Sequence, residues 1–409
     1  MTCADLIRGN TLLQEAFAQL QVTPVLCNLD PEQDTKSRRM TEVYVIDGLL
    51  DLTLSVPSLQ AFNARVAACE CIKAYFYNHS IIRLHFLRRA IGGHASGTDE
   101  TANIFTVLLG PTDQKYSGDP YRCWFAAVLL FHLIFEDEEA KNLAMNVAEG
   151  DASNGEEVVT CIQSLVANLI TAMQKGEDDR VLTGFLMLLC GWLFEDPDAV
   201  DDFLGEGSSV QSLVHVLQGD HEGIIVQGLC AVLLGVVYEF STKDSPLPRM
   251  TLHSILTSRM GRDQYIDRLT KLRRHPLLRD FEVLPQKMST VSQGGLPEIY
   301  FDKTFVDFIK DNFSRLLRSI DRDPAVEILV DGTGIRKGIS REMVDSLRLQ
   351  LEEKSNALQT AQSDLLSLER QLGQERVDHR KDKETTTLEI SRMKNVNDSL
   401  QHHHQDESR

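Results

Sequence analysis

GFLMLLCGWLFEDPDAVDDFL, residues Gly184–Leu204, decides the fold. It opens with a run from Gly184 to Phe194 that holds almost no polar atom, so a helix there must be buried on all sides. It then turns at an acidic knot, Glu195-Asp196-Pro197-Asp198, and a second helical pattern begins. Pro197 suits the first turn of that second helix, where its missing N–H is an orphan in any case. The same sentence recurs at Trp124–Met145, WFAAVLLFHLIFEDEEAKNLAM, in which IFEDEEAK answers LFEDPDAV. Val66–Tyr77 and Val226–Phe240 read as two further copies of the apolar half. With Tyr77, Phe135, Phe194 and Tyr238 taken as equivalent, the copies lie 58, 59 and 44 residues apart. Irregular repeats of a buried helix flanked by amphipathic ones predict an all-α, armadillo-like α-solenoid.

The 409-residue chain carries a net charge of −18. Residues 331–409 hold 13 Lys/Arg against 15 Asp/Glu, so the first 330 hold 29 against 45, a net of −16. An acidic body disfavours nucleic acid and anionic membrane as general partners. The eight cysteines mostly sit inside apolar helical runs and form no C-x-x-C pair. They read as small buried residues in a reducing compartment. The N-terminus has no basic-then-apolar leader pattern. The longest apolar runs fall short of the ~20 residues that a membrane span needs. The protein is expected to be cytoplasmic.

Further along the chain, helices are expected over Thr11–Leu20, Met40–Val56, Phe62–Tyr77 and Ser80–Ile91, with Gly92-Gly93-His94 ending the last of these. Gly205-Glu206-Gly207 closes one helix and Ser208-Ser209 caps the next. Leu284–Glu298 reads as a flexible loop, and Tyr300–Ile320 as the last globular helix. A basic stretch interrupts the acidic body: Arg249, Arg259, Arg262, Arg268, Lys271, Arg273, Arg274 and Arg279 face three aspartates between Ser245 and Asp280. One reading is that their stems cover a late, exposed helix pair. The other is an acceptor surface for an acidic partner or phosphoinositide headgroups.

Residues 326–340, with Gly332, Gly334 and Gly338, read as a linker after a head spanning 1–325. A coiled coil then fits 341–395. Val344, Leu351, Leu358, Leu365 and Leu372 occupy a positions; Leu347, Ala361 and Leu368 occupy d positions, with Lys354 and Glu375 as polar exceptions. That Leu-rich seam predicts self-association into a dimer. The next a and d residues, His379 and Asp382, break the seam, and 396–409 is expected to be a disordered tail.

No catalytic motif survives inspection. The P-loop, H-E-x-x-H and G-x-S-x-G patterns are all missing. Gly332-Thr333-Gly334-Ile335-Arg336-Lys337 has the wrong spacing. Glu136–Glu139 lacks the alternating ligands and central Gly of a Ca²⁺ loop, and reads as a solvated turn. No cofactor, no metal and no enzyme activity is expected.

Six strings carry a resemblance: ACECIKAYFYNHSIIRLHFLRRAI, GEEVVTCIQSL, LMLLCGWLFEDPDAVDDFLGEGSSVQSLV, VQGLCAVLLGVVYEFSTKDSP, GRDQYIDRLTKLRRHPLLRDFEVLPQ and FDKTFVDFIKDNFSRLLRSIDRDP. From about Arg8 to Pro324 the chain closely resembles the head of the general vesicular transport factor family. These are golgin-like tethers of ER-to-Golgi and intra-Golgi traffic, and the fungal members look closest. The family head is about twice as long, so the match is to its C-terminal half and to the start of its coiled coil. The resemblance implies an armadillo-like head and homodimerisation. It implies binding to a Rab GTPase, to SNARE proteins and to other golgins, at the periphery of Golgi and vesicle membranes. An armadillo-type GTPase-effector scaffold of the cytoskeleton, like the regulatory half of formins, is the alternative. A nuclear-transport adaptor would want regularly spaced Asn and Trp, and the chain has two Trp.

Overall fold

The computed structural model describes residues 2–22, 43–55, 58–97, 102–110, 118–150, 158–205, 207–219, 223–283, 286, 296–297, 299–326 and 341–407. They form two compact units, one within 1–336 and the other within 337–409.

The first unit is a stack of helices. It begins with α1 (Cys3–Ile7), α2 (Thr11–Gln19), α3 (Val45–Leu54), α4 (Ser58–Phe76), α5 (Ser80–Ser96) and α6 (Ile104–Leu109). Then come α7 (Pro120–Ile134), α8 (Glu138–Met145), α9 (Cys161–Lys175), α10 (Asp179–Leu193), α11 (Pro197–Gly205) and α12 (Ser209–Gln218). It closes with α13 (Ile224–Phe240), α14 (Arg249–Ile255), α15 (Arg262–Arg274), α16 (Pro276–Arg279) and α17 (Lys303–Leu317). Two antiparallel ladders of two residues each, Gln21–Val22 with Val43–Tyr44 and Ala148–Glu149 with Val159–Thr160, are the described strands. The first ladder starts α3 at Val45, later than the expected Met40, because Val43 and Tyr44 are used in pairing.

The apolar sentences form the inner layer. α4, α7, α10, α13 and α15 pack in sequence, with α10 wedged between α7 and α13. Every residue of α10 from Val181 to Leu193 is buried, as is every residue of α13 from Ile225 to Phe240. Glycines seven apart permit this closeness. A Cβ on Gly184 would lie 3.0 Å from Trp124 Cα, and one on Gly191 would enter the Phe131 ring. On α13, Gly228 and Gly235 receive Leu272 and Tyr265 of α15 in the same way. Cys69, Cys123, Cys161, Cys190 and Cys230 are buried thiols. Burial pushes the thiols of Cys69, Cys161 and Cys190 up, away from the reactive thiolate.

Several expected boundaries shift. α5 runs through Gly92-Gly93-His94 to Ser96, and Gly97, at φ +62°, takes the left-handed cap instead. Ser208 occupies the cap position of α12 without a side-chain bond, because its backbone is already helical. Most of the Leu284–Glu298 loop and of the linker lies outside the described residues; Gln286 is held by both backbone groups of Phe301.

The second unit is one helix, α18 (Arg341–Glu407). It continues through the stretch expected to be disordered. After Gly373 the sequence has neither Gly nor Pro, so nothing in the backbone stops the helix when the apolar seam does.

Candidate partner-binding site

The repeat turns are built alike. Phe135 and Phe194 end α7 and α10, and Tyr77 follows α4. The next residue in each is left-handed: Asn78 (φ 51°), Glu136 (φ 54°) and Glu195 (φ 58°), the described non-glycine residues of positive φ. The one after that caps the following helix. His79, Asp137 and Asp196 accept from the N–H groups of Ile82, Ala140 and Ala199. The fourth copy is out of step. α13 continues helically through Tyr238 to Phe240 and is capped by Ser241, so Tyr238 is not the equivalent of Phe194.

Each turn also serves its neighbour. Arg83, four residues after the His79 cap, donates to the Phe135 carbonyl at 3.1 Å. Lys141, four residues after the Asp137 cap, donates to the Phe194 carbonyl at 2.8 Å. A cation thus meets the negative end of the next inner helix. Burial lowers the pKa of both, and acids of the turn each one reaches oppose that shift, Asp137 and Glu136 for Arg83 and Asp196 and Glu195 for Lys141. Burial raises Asp196, against the pull of Lys141.

α17 crosses the ends of these inner helices. Its cap residue Asp302 accepts at Phe305 N–H and is almost fully buried between Lys73 of α4 (2.6 Å) and His132 of α7 (3.0 Å). Burial alone would raise this carboxyl, but the neighbouring His132 and Lys73 hold it well below the usual carboxylate range. Lys73 stays protonated: burial lowers its pKa, but Asp302 and Glu70 outweigh that. Burial lowers the pKa of His132, against the pull of Asp302. Along the helix, Phe305 meets Phe131, and Phe308 meets both Phe135 and Phe194. Near its end Arg315 pairs with Glu195 (2.9 Å) and with the fully buried Glu239 (2.6 Å), which Arg322 also reaches.

Between the turns at 135–138 and 194–198 and the flank of α17 lies an open groove of about 760 Å³. Phe135, Phe194 and Phe308 line it together with carboxylates from both turns and from Asp307 and Asp311. In sequence Glu136–Glu139 reads as a solvated turn and Glu195–Asp198 as a helix start. α17 turns both into walls of the groove, and nothing in a linear pattern shows which helix closes over a turn.

The basic stretch is scattered in its environments. Arg249 is fully buried, which corrects its assignment to a binding surface. Its guanidinium lies 4.2 Å from the Tyr238 ring and donates to the carbonyls of Tyr238, Glu239 and Ser241 at the end of α13. Arg268 donates to Leu217 O, and Arg273 covers Phe313. Arg262, Lys271 and Arg279 pair with Asp321, Asp267 and Asp280. Arg259 and Arg274 are exposed. On α18, Leu358, Ala361, Leu365, Leu368 and Leu372 are all exposed. The side chains of Val344, Leu347 and Leu351 lie outside the described ones. Among the described residues, no group of acids, histidines or cysteines could hold a metal, and no helix is long and apolar enough to cross a membrane.

Stacked buried helices, shared turn chemistry and an open flank define a helical-repeat scaffold. The chain belongs to the Uso1/p115-like vesicle tethering family: residues 10–320 match the head region described as "Uso1 / p115 like vesicle tethering protein, head region". It is 26% identical over 406 residues to intracellular protein transport protein USO1 of Saccharomyces cerevisiae, covering 88% of this chain and 22% of that one. It is 25% identical over 258 residues to the human general vesicular transport factor p115, covering 62% of this chain and 25% of that protein. The crystal structure of Uso1-1 superposes with a TM-score of 0.67 at 27% identity, over 78% of this chain and 48% of the solved one. The chain thus spans about a fifth to a quarter of these curated relatives and about half of the solved chain. They are transport and tethering factors, not enzymes.

Proposed function

We propose that this chain is a non-enzymatic scaffold of vesicle tethering in ER-to-Golgi and intra-Golgi traffic. Its helical head binds a Rab GTPase, SNARE proteins and other golgins, and its C-terminal helix pairs two copies. The observation that carries this reading is the match of residues 10–320 to the tether head region. The coil seam at Val344, Leu347, Leu351, Leu358, Ala361, Leu365, Leu368 and Leu372 supports pairing, because an apolar stripe of this length gains nothing in water until a second helix covers it. Pairing raises effective concentration when both partners sit on one membrane. Attachment to Golgi and vesicle membranes is then peripheral, through proteins. Of the basic residues, those with local carboxylates fit the cover role better than the acceptor role.

The test is a pulldown from cytosol and Golgi membranes with the purified chain, alongside the Rab GTPase of the early secretory pathway loaded with GTP or GDP. GTP-selective capture together with SNAREs or golgins is expected. Capture of golgins without the GTPase removes the GTPase from the partners of these repeats. Capture of neither by a folded sample overturns the reading.

A further inference from the structure

The molecule holds a guanidinium at one repeat turn with its own residue, and leaves the equivalent turn one repeat earlier open. At the later turn Arg315 lies 5.1 Å from the Phe194 ring centre and 4.7 Å from that of Phe240, and donates to Glu195 at 2.9 Å. Phe135 and Glu136 repeat Phe194 and Glu195 in position and in backbone conformation. There the flank of α17 supplies Asp307 and Asp311 where the later turn receives Arg315. Among the described residues no basic side chain pairs with Glu136, Asp307 or Asp311. Lys141, the one basic residue among the described residues that line the groove, is 8% exposed and already engaged with the Phe194 carbonyl and Asp196. The half-buried ring of Phe135 and the groove's volume of about 760 Å³ leave room for several side chains.

We propose that this groove binds an arginine-bearing basic segment of a partner protein. One arginine stem lies on Phe135 with its head toward Glu136, Asp307 and Asp311, in the manner of Arg315 on Phe194 and Glu195. Arginine suits the site better than lysine, because a planar guanidinium both stacks on a ring and bridges carboxylates. The walls repel phosphate, so a lipid headgroup or nucleic acid is not the occupant. The inference rests on the reading of the head as a binding scaffold. The probe is a synthetic peptide, so its failure leaves the tether reading to its own test.

The experiment measures fluorescence anisotropy of fluorescein-labelled hexa-arginine, and of its uncharged hexa-citrulline counterpart, with the full chain at physiological salt. Hexa-arginine is expected to bind and hexa-citrulline to bind at least about tenfold more weakly. Asp307→Asn with Asp311→Asn is expected to weaken hexa-arginine about tenfold, two partly exposed ion pairs' worth. Removing two exposed acids elsewhere, Asp244→Asn with Asp263→Asn, is expected to change it less than about twofold at that ionic strength. Thermal melts check that both pairs of variants are folded. Equal weakening by the two pairs overturns the proposal, since the body's diffuse charge would then suffice. Absence of hexa-arginine binding to the folded chain overturns it as well.

Discussion

α10 and α18 are both helices rich in leucine, and they are helical for opposite reasons. α10 has 15 residues, all buried from Val181 to Leu193, and would be marginal alone in water at that length. Its neighbours α7 and α13 make it a helix. α18 has 67 residues, and every described side chain on it is exposed, Leu358 at 61% and Leu365 at 58% among them. The first helix is a consequence of packing within the chain. The second carries an apolar stripe that one chain leaves in water. The same residue type therefore builds a core in one region and, on the pairing proposed above, a contact between chains in the other.

The sharpest way to break this comparison is to charge the stripe. Leu351→Asp with Leu365→Asp removes four leucines from a paired coil, each contributing roughly 1.5–3 kcal/mol. Light scattering is expected to fall from two chains to one while the thermal midpoint of the head stays put. A wild-type sample that is already one chain in mass removes the contrast altogether.

The next effect is in the head. Asp302→Ala leaves Lys73, 6% exposed, without its buried partner, and is expected to cost about 3–5 kcal/mol in denaturant unfolding. Because the folded pKa of Asp302 is depressed, its contribution is complete above the unfolded value of about 3.9 and is lost as pH falls from there toward the folded value. Melting followed from pH 7 to pH 3 is expected to drop steeply below about pH 4 in the wild type, and less steeply in Asp302→Asn. Parallel curves would show that the carboxylate is not the group responsible.

Two glycine substitutions sharpen the contrast further, with opposite signs. In α10 a Cβ on Gly191 strikes Phe131, so Gly191→Ala is expected to destabilise the head by about 1–3 kcal/mol. In α18 a Cβ on Gly373 meets nothing within 4 Å, so Gly373→Ala is expected to raise helicity, measured by circular dichroism, with a gain of up to about 1 kcal/mol.

The repeated sentence made much of the fold legible. IFEDEEAK and LFEDPDAV are the same turn in space, down to the left-handed glutamate and the capping aspartate. A buried helix announces itself because every side of it must be apolar. The fourth copy was misaligned because apolar residues continue past Tyr238, and a uniform run carries no mark of where the helix stops. The basic stretch misled for a related reason. Eight cations look alike in sequence, but Arg249 turns inward to the carbonyls of Tyr238, Glu239 and Ser241 at the end of α13. The groove was illegible because α17 is more than a hundred residues from the turns at 135 and 194 that it covers. Only long-range contacts such as Arg315 with Glu195 reveal it.

α17 also has a mechanical consequence. Stacked repeats bend by adding small rotations at each interface. One stiff helix is fastened at Asp302 to α4 and α7, at Phe308 to the ends of α7 and α10, and at Arg315 to Glu195 beyond α10 and to Glu239 on α13. It acts as a splint: a rotation at any one of these interfaces has to shear contacts at the others. A pull applied along this stretch of repeats is therefore transmitted with little extension.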